Sequence, residues 1–118
     1  MILESDRPIS ALVAEWLAMA QYGSVHVCDV AGAAKVAVQC DVVLLDIPAT
    51  LRSARETIAS LAAIVSDTPI VAMSADVLAS GPSAAEAIAL KLGVAAVLVK
   101  PFGREALMQA IERARARV

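Results

Sequence analysis

Aromatic rings are nearly absent from this 118-residue chain, which has one Trp, one Tyr and one Phe. A core with so few rings must be built from branched aliphatics and close backbone approaches, and the 26 alanines suit that design. Glycine and proline are scarce too, five of each, which excludes collagen-like and low-complexity classes. Charged residues make up only 19% against 59% hydrophobic, so a disordered chain is excluded. The two cysteines, Cys28 and Cys40, lack CxxC spacing and lie in apolar surroundings, which reads as buried free thiols. With His26 as the single histidine, a zinc site has too few ligands. A formal net charge of -2 supplies no basic field for nucleic acid. Long apolar runs are missing as well. The longest uncharged stretch, Trp16 to Cys28, is too short and too polar for a membrane span of ~20 apolar residues. Glu4, Asp6 and Arg7 interrupt any reading of the N-terminus as a signal peptide. What remains is one soluble domain over residues 1–118, expected in the cytoplasm without membrane or nucleic-acid partners.

Short aliphatic runs alternate with amphipathic stretches along the chain. Met1 to Leu3, Val25 to Cys28, Val42 to Leu45, Ile70 to Met73 and Ala95 to Val99 each read as a buried strand. Between the first two, Ile9, Leu12, Val13, Trp16 and Leu17 form one helical stripe facing a core, Trp16 included, begun near Pro8 and ended by Tyr22-Gly23. A short alanine-rich helix follows at about Ala31 to Val38. Ser53 with Glu56, and Ser83 with Glu86, are capping boxes that would open two more helices, and Gly93 fits the end of the second. The last helix runs from about Arg104 to Ala116 with Leu107, Ala110, Ile111 and Ala114 inward. No hairpin signal joins the strands. The pattern predicts a doubly wound α/β fold, a five-stranded parallel sheet in the flavodoxin-like order 2-1-3-4-5 with helices on both faces.

Such folds bind ligands at the carboxyl ends of their strands, so the residues closing each run are the candidates. These are Glu4-Ser5-Asp6, then Asp46, then Ser74, then Lys100-Pro101-Phe102. Carboxylates gathered on one rim need a hard cation such as Mg²⁺, and a carboxylate beside a cation, a hydroxyl and an ammonium can accept a phosphoryl group. Taken singly, each residue has a plainer reading: Asp46 as a turn former, Ser74 as a cap, Lys100 as a surface lysine, Asp6 as the cap of the first helix. Their company favours the chemical reading.

In this arrangement the chain resembles the receiver domain of two-component response regulators, from Met1 to about Ala114. The resemblance is carried by Val42-Val43-Leu44-Leu45-Asp46, by Pro69 to Ala75, and by Gly93-Val94 with Val97-Leu98-Val99-Lys100-Pro101-Phe102. It implies that Asp46 is the phosphoacceptor, charged by a histidine kinase or phosphotransfer protein. It implies that Ser74 is the hydroxyl that meets the phosphoryl group and that Lys100 pairs with both. A cis Lys100-Pro101 bond is implied as well. The implied Mg²⁺ ligands are Asp6, Asp46 and the Pro48 carbonyl, with Glu4 or Ser5 as further candidates. The implied function is a phosphorylation-controlled switch acting on a downstream protein target or a homodimer face, with no enzymatic activity beyond its own phosphoryl transfer. The alternative is a pseudo-receiver, a constitutive interaction module that takes no phosphate. A flavodoxin-like cofactor carrier would need a Ser/Thr/Gly-rich phosphate loop after the first strand, and Ser5-Asp6-Arg7-Pro8 is not one.

The chain departs from the family pattern at several points. Ser5 replaces the first acid of the metal pair, and the loop after Asp46 shrinks to Ile47-Pro48-Ala49-Thr50. Val97 takes the place of the aromatic that relays the signal in typical receivers, and Phe102 lies too far along to take that part. A β-branched side chain has neither the reach nor the χ1 freedom of a ring. The face made by the fourth and fifth helices should then respond little, and the loop from Asp76 to Pro82 should respond more. Loss of one carboxylate predicts weakened Mg²⁺ binding, so Ser5→Asp should tighten it in a calorimetric titration. No gain would mean that Glu4 or another group already serves.

Overall fold

The computed structural model describes residues 1–3, 7–23, 41–47, 51–65, 68–74 and 89–116. Four strands appear among them: β1 (Ile2–Leu3), β2 (Val43–Asp46), β3 (Ile70–Ser74) and β4 (Ala96–Val99). Three helices are delimited: α1 (Arg7–Met19), α2 (Leu51–Val65) and α3 (Arg104–Ala116), and residues 89–92 are also helical. The strands form one sheet in the order β1-β2-β3-β4, every pair parallel. The expected strand at Val25 to Cys28, the helix at Ala31 to Val38 and the capping box at Ser83 lie outside the described residues. The four described strands take the relative order expected of them.

Both faces of the sheet are covered, which is why its strands read as unbroken aliphatic runs. Side-chain alternation sorts each strand into two cores. Leu3, Val43, Leu45, Ile70 and Ala72 pack with Ala54, Ile58 and Leu61 of α2 and with Ala89 and Leu92. Ile2, Leu44, Val71, Met73, Ala96 and Leu98 pack with Val13 and Leu17 of α1 and with Leu107, Ala110, Ile111 and Ala114 of α3. The first and last helices therefore share one face. In α3, Glu105 in the first turn and Arg113 and Arg115 in the last also suit the helix dipole.

Helix ends depart from the sequence reading in two places. Gln21, with φ 66°, makes the left-handed turn that stops α1, and the Tyr22 N–H donates back to the Leu17 carbonyl at 2.8 Å. The stop was expected at Tyr22-Gly23, but the left-handed residue is Gln21, one position earlier. Gly93, at φ 72°, does end its helix as expected: its N–H and that of Val94 both donate to the Ala89 carbonyl, at 2.9 and 3.1 Å. Ser53 is not a cap. It lies inside α2, where its carbonyl accepts the Thr57 hydroxyl at 3.0 Å and the next residue, Ala54, is fully buried.

Leu61 is 0% exposed at the centre of the core beneath α2. Leu61→Ala should cost about 2–5 kcal/mol of unfolding free energy, read from the urea midpoint at unchanged slope.

Candidate functional site

Register brings the candidate residues together. Asp46 closes β2 opposite Met73, and the Ile47 N–H donates to the Met73 carbonyl at 2.9 Å. Ser74 closes β3 opposite Val99, and the Lys100 N–H donates to the Ser74 carbonyl at 2.7 Å. Three adjacent strands thus end at one level. From the end of β4 the Lys100 side chain reaches across, and its Nζ donates to Asp46 Oδ1 at 2.7 Å. A charge-assisted bond of that length is among the stronger kinds.

The three side chains differ in access. Ser74 is fully buried, and among the described residues no buried side-chain polar atom is left without a partner. The Asp46 side chain keeps 31% of its surface and that of Lys100 keeps 22%, so solvent reaches the ion pair. A carboxylate oxygen is the donor type a hard cation takes, so Asp46 fits one ligand of Mg²⁺. Glu4, Ser5, Asp6 and Pro48, the other expected ligands, lie outside the described residues. Among the described residues no cluster of three or more His, Cys, Asp or Glu could hold a metal. No helix among them is long and apolar enough to cross a membrane.

Beside the ion pair runs an apolar groove of about 440 Å³, lined by Ile9, Leu12, Val13 and Trp16 of α1 and by Lys100, Pro101 and Phe102. Trp16 and Phe102 meet across it at 6.4 Å between ring centroids, tilted by 56°. The sequence reading put Trp16 in the core along with its whole stripe. Only Val13 and Leu17 sink fully into the core; Trp16 is half-buried and Leu12 is 43% exposed. The stripe is wider than the sheet surface it covers, and its outer edge faces the groove. The sequence signal for this was Trp16, the single tryptophan in a chain with only three aromatic rings. Arg115 also has more to do than complement a dipole: its guanidinium lies 5.6 Å from the Tyr22 ring centroid and donates to the Tyr22 hydroxyl at 2.9 Å. The Lys100-Pro101 peptide bond is cis.

A half-buried ion pair at the rim, with water still reaching both partners, contributes little to stability, about 1 kcal/mol. Asp46→Asn should therefore leave the urea midpoint nearly unchanged. A loss of several kcal/mol would mark the pair as a structural element.

No protein-family model and no curated protein matches the chain. Solved structures do. The signal receiver domain of a modulated diguanylate cyclase from Desulfovibrio desulfuricans is similar at 24% identity, over 98% of this chain and 91% of that one, with a TM-score of 0.71. The chemotaxis protein CheY4 of Vibrio cholerae is similar at 21% identity, over 96% and 94%, with a TM-score of 0.71. FixJ-N is similar at 20% identity, over 99% and 92%, with a TM-score of 0.74. With its parallel sheet covered on both faces and its candidate residues at the strand ends, the chain has the fold of response-regulator receiver domains.

Proposed function

We propose that this protein is a two-component signalling switch that accepts a phosphoryl group on Asp46 and changes a protein-interaction surface in response. The observation that carries the reading is the 2.7 Å pair between Lys100 Nζ and Asp46 Oδ1, at strand ends in a receiver fold. The donor would be a histidine kinase or a phosphotransfer protein, and the site of action the cytoplasm. In the transfer, an Asp46 carboxylate oxygen attacks the phosphorus of the donor's phosphohistidine. The new P–O bond forms as the P–N bond breaks, and the electron pair of that bond leaves with the imidazole. The Lys100 ammonium stays beside the acceptor and offsets the negative charge gathering on the phosphoryl oxygens. Ser74, at the end of the neighbouring strand, would be the hydroxyl that meets the product.

Mg²⁺ bound at Asp46, with Asp6, the Pro48 carbonyl and Glu4 or Ser5 as the remaining candidates, would supply further neutralisation of that charge. Ser5 and Val97 favour the second reading, a constitutive interaction module that takes no phosphate. A homodimer face or a separate protein target would serve either reading.

Incubation with Mg²⁺ and acetyl phosphate, followed by intact mass measurement, separates the two. One phosphoryl adduct is expected on the wild-type chain and none on Asp46→Asn. A wild-type chain that stays unmodified under these conditions selects the constitutive module.

A further inference from the structure

Lys100 is tied on two sides. Its backbone N–H holds the Ser74 carbonyl at 2.7 Å and its ammonium holds Asp46 at 2.7 Å. The next residue, Pro101, has a ring-locked φ and cannot absorb a rotation at that torsion. The one after it, Phe102, meets Trp16 across the groove. All three residues line that groove, whose volume of about 440 Å³ gives the Phe102 ring room to move. Close-packed interiors lack such room. On the other face of the sheet, Val97 is half-buried against the core beneath α2 and offers no ring to turn.

We propose that Lys100-Pro101-Phe102 is a lever that transmits the state of the Asp46–Lys100 pair to α1, with Trp16 as the ring it moves. The inference deepens the signalling reading and rests on the same ion pair. When the charge at Asp46 grows or is removed, the ammonium shifts. The strand side of Lys100 is held by Ser74, so the displacement passes forward into Pro101 and Phe102. Phe102 then slides on Trp16, and the apolar edge of α1 formed by Leu12 and Trp16 changes its exposure.

Trp16 is the chain's single tryptophan, so its emission reads this groove alone. Asp46→Asn and Lys100→Met both break the ion pair without any phosphodonor. Each should shift Trp16 emission to longer wavelength and raise its quenching by acrylamide, and Phe102→Leu should abolish both changes. Emission that is identical across wild type and both variants overturns the lever, as does a shift that survives Phe102→Leu. Should the ion-pair variants fail to fold, the coupling can be read in reverse. Phe102→Leu, a change at a half-buried loop residue, should move the NMR resonances of the Lys100 ammonium and the Asp46 carboxyl. Unmoved resonances overturn the proposal. The acetyl phosphate experiment keeps the two inferences apart. An Asp46 adduct with unchanged Trp16 emission overturns the lever and leaves the acceptor standing. No adduct, with Trp16 responding to the ion-pair variants, overturns the acceptor and leaves the lever standing.

Discussion

Lys100 is where the two halves of the site are joined. Its backbone extends the β3–β4 ladder by one bond, to Ser74, while its side chain crosses β3 to reach Asp46 at the end of β2. That reach requires three consecutive strands to end at the same level, which in turn requires parallel pairing. Antiparallel neighbours would put the ends of alternate strands on opposite rims. The parallel arrangement needs helices on both faces, and the two cores supply them. The ion pair thus depends on the whole sheet, although it contributes little to holding the sheet together.

The molecule separates stability from chemistry. Its fully buried side chains, such as Leu61, Val71, Met73 and Leu107, lie in the sheet and its covering helices, and apart from Ser74 those largest among them are apolar. The charged candidates sit at the rim with a quarter or so of their surface in water. Ser74 bridges the two environments, since it is fully buried yet stands next to the rim. A buried hydroxyl must keep a hydrogen-bond partner, so any change that draws Ser74 outward must replace that partner.

The few aromatic rings mark a third region. Trp16 meets Phe102, and Tyr22 meets Arg115, so all three rings line the seam between α1 and the segment from the end of β4 through α3. Met19 adds a contact there from Arg104 at 3.9 Å. A chain whose buried core is aliphatic has placed its three rings where α1 meets the end of the sheet. This placement distinguishes the α1 side from the face beneath α2, where Val97 stands.

Much of the architecture was legible without coordinates. Aliphatic runs such as Val42 to Leu45 and Ile70 to Met73 announce strands buried on both faces, and the absence of hairpin signals makes them parallel. The glycine at position 93 announces a helix end because few other residues accept a positive φ. The candidates Asp46, Ser74 and Lys100 could be named because each closes such a run. What the sequence could not determine is anything set by contacts between distant elements. Gln21 makes the left-handed turn at the end of α1 although no residue type there demands it, since the backbone bond from Tyr22 to Leu17 outweighs the local preference. Ser53 has the residues of a cap but lies within a helix, because burial of Ala54 carries α2 past it. The groove between α1 and Phe102, and the pairing of Trp16 with Phe102 across 86 positions of chain, depend on how α1 seats against the sheet. Periodicity assigns a side chain to a helix face, but only packing decides how much of that face is covered.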